Sequence, residues 1–258
     1  MLTTGPRGGR RMSSQVGDPP LPPRAALRWK IVRRIIAEQR PETILELGCG
    51  LGSIGARLAR MATYTAVEPD PRSFDVARQR IAPLGGTVCN GDHRQAPTPG
   101  RYDLVCAFEV LEHLADDAAA LAEWLPLVRP GGRLLLSVPA DPKRFGSWDV
   151  LVGHHRRYSA DQLRQRLAEA GATRIRIVHY GWPLGYLLDA VRNRWAGRGG
   201  DAPDGTAEER TSRSGRLLQP RGELAGGVIQ LAVAPFAALQ RIRPDRGPGL
   251  VAVATRPE

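Results

Sequence analysis

The chain has 258 residues, 42% of them hydrophobic, with a formal net charge of +11, so it can bury one sizeable core with appendages. The charge does not describe a nucleic-acid groove. Lys30 and Lys143 are its only lysines and the arginines are scattered among Ala, Gly and Pro, a bias a GC-rich coding sequence would give, so DNA is not an expected partner. Cys49, Cys89 and Cys106 lack paired spacing, which argues against a disulfide frame or zinc site and for small core residues in a reducing compartment.

Residues 1–23 are rich in Gly, Pro, Ser and Arg and are expected to be a disordered tail, with Met12 an alternative start. Arg10-Arg11 has no apolar segment behind it, so a secretion signal is not expected and the localisation reads as cytoplasmic. From Arg24 to Arg40, Leu27, Ile31, Ile35 and Ile36 fall at helical spacing with arginines between them, and Pro41 stops the helix. A first strand over Thr43–Leu47 runs into a glycine-rich turn and a helical pattern from Ser53 to Met61. Glycines at alternate positions let a ligand come against the main chain. Gly50, Gly52 and Gly55 also satisfy the G-x-G-x-x-G of a dinucleotide fold. Glu46 tips the balance: it would repel a pyrophosphate and attract a ligand carrying an amino group and a sulfonium.

A second strand, Thr63–Val67, ends on Glu68-Pro69-Asp70-Pro71, which places Glu68 to accept hydrogen bonds from ribose hydroxyls. A helix then runs from Pro71 to Ile81, and a short strand from Gly86 to Cys89 leads to Asp92, which can receive the exocyclic amine of an adenine. A fourth strand over Tyr102–Ala107, a helix over Asp116–Val128, a turn at 129–132 and a fifth strand over Arg133–Val138 follow. Ser159 caps a helix that Gly171 stops, and Thr173–Tyr180 is the sixth strand. Strands alternating with helices imply an α/β, doubly wound, mostly parallel sheet with its ligand at the carboxyl edge.

Six pieces in this order, LELGCGLG at 45–52, VEPD at 67–70, GD at 91–92, YDLVCAFEVLEHL at 102–114, LVRPGGRLLLSVP at 127–139 and GHHRRYSADQLRQRLAEAGA at 153–172, resemble the class I S-adenosylmethionine-dependent methyltransferases. The likeness is to the small-molecule group around the ubiquinone-biosynthesis O-methyltransferases. It implies a seven-stranded Rossmann-like sheet with an antiparallel last strand, and S-adenosyl-L-methionine as cofactor. By position, Glu46, Gly48, Cys49, Gly50 and Gly52 would line the methionine end, Glu68 the ribose, Pro69 the adenine, Asp92 and His93 the adenine edge, and Phe108 and Glu109 the sulfonium.

Methyl transfer to a hydroxyl calls for a base, and neutral histidine suits that role at pH 7. The candidates are His113, His154 and His155, with Tyr158 beside them; the same residues could instead tie the loop to the domain. Glu109, Glu112 and His113 would share one face if their segment is a helical turn. With His154 they form a candidate divalent metal set, as the pattern is understood to do in some catechol and small-RNA 2′-O-methyltransferases it resembles. No Asn/Asp-Pro-Pro-Tyr/Phe follows strand four and no cysteine lies where a base-methylating nucleophile would be expected, which favours a small-molecule or lipid-like acceptor over a nucleobase.

Between strand six and a last strand at Gly249–Ala254 lies a helical insertion, 183–246. Pro183–Trp195 carries Leu184, Leu187, Leu188, Val191 and Trp195 on one face, 197–220 reads as a mobile linker, and Glu223–Ile242 is apolar nearly all round but too short for the roughly twenty residues of a bilayer span. The second helix is expected to pack on the first; a lid, a homodimer surface and peripheral membrane contact are the other readings. The division is thus a core over 24–182, the insertion, and a final strand over 247–258. The activity expected is methyl transfer from S-adenosylmethionine to an oxygen, or else a nitrogen or carbon, of the acceptor. The rivals are an RNA 2′-O-methyltransferase, a non-catalytic cofactor-binding scaffold and a nicotinamide-dependent oxidoreductase.

Overall fold

A computed structural model describes residues 18–97, 102–198 and 223–258, with side chains of the last stretch from 227. It opens with α1 (Pro23–Gln39), which Pro23 starts with its preset φ and Arg40 closes in the left-handed region ahead of Pro41. Before it, Leu21 is buried and Asp18 pairs with Arg57 and Arg60 at 3.5 and 3.2 Å, so the end of the expected tail is anchored; 1–17 lie outside the described residues.

Seven strands follow, β1 (Thr43–Leu47), β2 (Thr63–Glu68), β3 (Thr87–Asn90), β4 (Tyr102–Phe108), β5 (Val128–Pro139), β6 (Thr173–Tyr180) and β7 (Gly249–Thr255), in the order β3-β2-β1-β4-β5-β7-β6. The pairings among β1 to β5 are parallel, and β7 runs antiparallel to both β5 and β6. The chain winds outward in opposite directions from β1 and from β4, so the loops after these two adjacent strands part and leave a crevice at their carboxyl ends. The period of two splits the core. Leu45, Leu47, Val105 and Leu136 face α4 (Asp117–Trp124) and α6 (Ala160–Glu169), while Ile44, Cys106 and Leu135 face α1 and α3 (Pro71–Ile81). Glu46 falls on the α1 side.

Several boundaries differ from the expectation. The helix after the glycine turn is regular only over Gly55–Leu58, α2. The helix expected to reach Val128 stops at Trp124 because Pro126 forces a tighter turn, and Val128 already pairs with Tyr102 in β5. The turn at 129–132 is drawn into that strand by main-chain bonds from Gly131 to Arg256 and from Arg256 to Gly132. A helix not foreseen, α5 (Ser147–Val152), fills the loop after β5.

In the insertion, α7 (Leu184–Arg198) packs chiefly on α5, and α8 (Glu223–Leu239) chiefly on α1. Neither is seated on the other, as the sequence suggested. Gly197 and Arg198 close α7; the rest of the expected linker lies outside the described residues. The foreseen burial on α7 holds only in part: Leu184 and Leu188 are half-buried, Leu187, Val191 and Trp195 are exposed, and Asp189 is buried. No helix among the described residues is long and apolar enough to cross a membrane.

Candidate active site

The crevice has a main-chain half and a charged half. In the first, Gly48, Gly50 and Gly52 all take positive φ, at +71°, +54° and +72°, which folds the chain back under the end of β1. Their surroundings separate their roles. A Cβ on Gly52 would meet Ala77 at 2.9 Å and one on Gly55 the Tyr64 hydroxyl at 2.3 Å, so these two serve packing. A Cβ on Gly50 would meet nothing within 4 Å: this is the open step of the turn, where a ligand reaches bare main chain. Glu68 is fixed beside it. Its Oε2 accepts from the Gly50 N–H at 2.7 Å and its Oε1 from the Asp70 N–H at 3.0 Å, while Asn90 Nδ2 and Gly91 N hold its carbonyl. Both carboxylate oxygens keep lone pairs for hydroxyl donors.

Glu46 is more enclosed than its expected role at the methionine end requires. It is 2% exposed, and Tyr64 Oη donates to its Oε2 at 2.5 Å. Burial pushes its pKa up to about 7, against the opposing pull of that hydrogen bond and of Arg28. Cys49 is buried, and burial raises its thiol further. At the adenine edge, Asp92 caps the turn after β3 through Arg94 N and ion-pairs with the Arg94 side chain, and Pro69 is exposed. His93 turns away from the position expected of it: its Nε2 lies 2.5 Å from Glu123 on α4.

The second half gathers around the end of β4. Glu109 has φ +58°, so the segment is not the helical turn that would align Glu109 with Glu112 and His113. Its carboxylate goes elsewhere, to Ser137 Oγ at 3.0 Å, Tyr180 Oη at 3.1 Å and the guanidiniums of Arg28 at 3.2 Å and Arg24 at 3.9 Å. Burial alone would raise this acid, but the two arginines outweigh it and carry it down to about 2. Arg28 also lies over the Phe108 ring at 5.8 Å. Both arginines are buried, not solvated between apolar positions as the helical pattern implied. Their i, i+4 spacing on the stripe with Leu27, Ile31 and Ile35 was the available signal.

Glu112, His113 and His154 do converge, with ligand atoms within 4.8 Å of one another; Glu109 is not in that group. Glu112 is fully buried and neither carboxylate oxygen has a hydrogen-bond partner. Burial raises its pKa well above the carboxylate range, and Glu109 adds to that. The His113 and His154 rings meet edge to face at 4.6 Å, and burial, reinforced by the neighbouring imidazole, pushes His113 down to about 3. His154 Nδ1 lies 2.7 Å from Asp149 Oδ1 on α5. Burial acts to raise Asp149, but His154 and Arg157 hold it at about 2; an ionised partner fixes the proton on Nδ1 and aims Nε2 toward Glu112, 3.9 Å away.

Two expected members fall outside. His155 is exposed and contributes its main-chain N–H to the Glu112 carbonyl at 2.8 Å. Tyr158 is buried against α4 with its hydroxyl donated to Asp117 at 2.9 Å, and burial raises that phenol, so it anchors the loop. Tyr64, Asp149, Arg157 and Asp189 were missed because each depends on a contact between distant elements.

The strand order, the crossover crevice and the glycine turn facing the Glu68 carboxylate define a class I S-adenosylmethionine-dependent methyltransferase. A family model described as "Methyltransferase domain" matches residues 24–176, and the chain belongs to that family. The ubiquinone biosynthesis O-methyltransferase of Aeromonas salmonicida is 32% identical over 108 residues, covering 40% of this chain and 45% of that one, so the chain spans less than half of that curated relative. The YcgJ protein of Bacillus subtilis has a TM-score of 0.59 at 13% identity, covering 88% of this chain and 98% of its own. Phosphoethanolamine N-methyltransferase 2 of Haemonchus contortus, solved in complex with S-adenosyl-L-methionine, has a TM-score of 0.56 at 17% identity, over 89% of this chain and 53% of its own. At these identities the structures share the fold.

Proposed function

We propose that this chain transfers a methyl group from S-adenosylmethionine to an oxygen of a small or lipid-like acceptor. The observation that carries it is the Asp149–His154–Glu112 alignment beside Glu109 at the switch point. Glu68 receives the ribose of the donor, the open main chain at Gly50 its methionine end, and the ionised Glu109 favours the sulfonium over the neutral thioether left after transfer. His154, with its Nδ1 proton committed to Asp149, presents Nε2 as the base for the acceptor hydroxyl, whose oxygen then displaces the thioether in line. The neutral ring of His113 and the enclosure of Glu112 keep that corner dry.

The buried, unpartnered Glu112 carboxylate also fits a divalent cation held by Glu112, His113 and His154. Bound there, such an ion would hold acceptor oxygens and lower a hydroxyl pKa. The lipid-like side of the reading is supported by a cavity of about 490 Å³ between α1, β6 and α8, walled by Leu27, Ile31, Ile35, Val178 and Ala237 and by Tyr180, whose hydroxyl reaches Glu109. Calorimetry with S-adenosylmethionine and S-adenosylhomocysteine, followed by transfer of labelled methyl to a lipid extract and to a water-soluble one, tests the proposal. Binding of neither compound ends it, and label in neither extract ends the acceptor assignment.

A further inference from the structure

We propose that Asp189 on α7 is a positioning residue of the transfer site, acting on the donor side through Arg24 and on the acceptor side through Arg157. This rests on reading Glu109 as a donor-side residue and His154 as an acceptor-side one. An amphipathic helix ordinarily turns its leucines inward and its acid outward. Helix α7 instead seats its acid: Asp189 is 2% exposed while Leu187 is 62% and Val191 58% exposed, and Leu184 and Leu188 are only half-buried. That arrangement forgoes apolar burial and desolvates a carboxylate, so the partners of the carboxylate must account for it.

Those partners are specific. Asp189 Oδ1 accepts from Arg24 Nη1 at 2.7 Å, and Oδ2 from Arg157 Nη1 at 3.0 Å. Each guanidinium is shared with a residue of the site. Arg24 lies 3.9 Å from Glu109 and donates to the Pro248 carbonyl at the entry to β7. Arg157 grips Asp149 through Nε at 2.9 Å and Nη2 at 2.8 Å, and Asp149 in turn holds His154. The result is an unbroken alternation of charge, Glu109, Arg24, Asp189, Arg157 and Asp149, which ends on the His154 imidazole and is drawn from α1, α5, α7 and two loops. Asp189 is its midpoint, the member that fixes where both arginines sit. Neutralising it leaves Arg24 and Arg157 short of one counter-ion, which adds positive potential beside a cationic donor and loosens the grip on Asp149.

The test uses the full chain, labelled with ¹⁵N-histidine. The Nδ1 proton of His154 gives a downfield, slowly exchanging resonance, assigned by its loss in His154→Gln. Asp189→Asn is expected to shift or abolish that resonance, and to weaken S-adenosylmethionine binding about fivefold more than S-adenosylhomocysteine, since only the former carries the sulfonium charge. Trp195→Ala, on the same helix but outside the chain of charges, should lower Tm and leave both readouts alone. A folded Asp189→Asn with the His154 resonance and the affinity ratio of the wild type overturns the proposal. Should that variant not fold, Asp189→Glu retains the charge but cannot meet both arginines, and the same two readouts decide. Failure of the wild type to bind either nucleoside would sink the methyltransferase reading while leaving the His154 resonance to judge Asp189.

Discussion

The two halves of the crevice are built by different means. In the main-chain half, three left-handed glycines and a carboxylate fixed by main-chain N–H groups do the shaping, all within 48–70 and the short strand beside it. In the charged half almost nothing is main chain. Arg24, Glu109, Glu112, Asp149, His154, Arg157 and Asp189 converge from separate elements, and all but Glu109 and His154 are under 9% exposed. The first half is therefore vulnerable to added atoms, and the second to changed charges.

The sharpest break of that contrast is His154→Gln. On any acceptor that supports turnover, kcat should fall about 10²- to 10⁴-fold, as expected for loss of a general base, while S-adenosylhomocysteine affinity stays within about twofold. Loss of affinity equal to the loss of rate would show that the two halves are not separable.

Glu46 sharpens it from the other side, being a buried ionisable group in the main-chain half. Its folded pKa, about 7, lies above its ordinary 4.5, so its stabilising contribution is complete below pH 4.5 and is lost as pH rises toward 7. Glu46→Gln stays neutral throughout. Relative to the wild type it should gain about 3 kcal/mol between pH 4.5 and 8, at about 1.36 kcal/mol per pKa unit, measured as a widening gap between urea midpoints. Parallel pH profiles would refute the assignment.

Among the glycines the predicted effects part company. Gly52→Ala presses on Ala77 and Ile81 and should cost about 2 kcal/mol of folding stability. Gly50→Ala meets no neighbour, so its strain is confined to backbone, and its main effect should be about tenfold weaker S-adenosylhomocysteine binding, or about 1.4 kcal/mol. Equal Tm losses for the two would remove the distinction between packing and ligand-facing positions. The smallest effect is expected from Tyr158→Phe, which removes one buried hydrogen bond to Asp117: about 1 kcal/mol in denaturant unfolding, with turnover unchanged within about twofold. A large fall in kcat would return Tyr158 to the catalytic set.

Legibility followed the same division. LELGCGLG and VEPD specify a strand, a turn and an acid at a strand tip through local conformation, so the donor edge could be placed from consecutive residues. The histidines could be nominated by their chemistry, but nothing local distinguishes His154, oriented by Asp149, from His155, whose side chain is exposed. Likewise, the segment 109–113 reads as a helical face until the positive φ of Glu109 separates it from Glu112.

The sequence by itself determined the glycine turn and, α5 apart, the succession of strands and helices, because period, turn chemistry and helix caps act over a few residues; the antiparallel last strand was implied by the family resemblance. Only the tertiary structure decided that α7 would bury Asp189 and expose Leu187, that α8 would lie on α1, and that Glu109 would join two arginines in place of Glu112. The reason is physical: a buried charge is tolerable only where opposite charges from distant parts of the chain arrive to meet it, and one-dimensional spacing carries no record of that meeting.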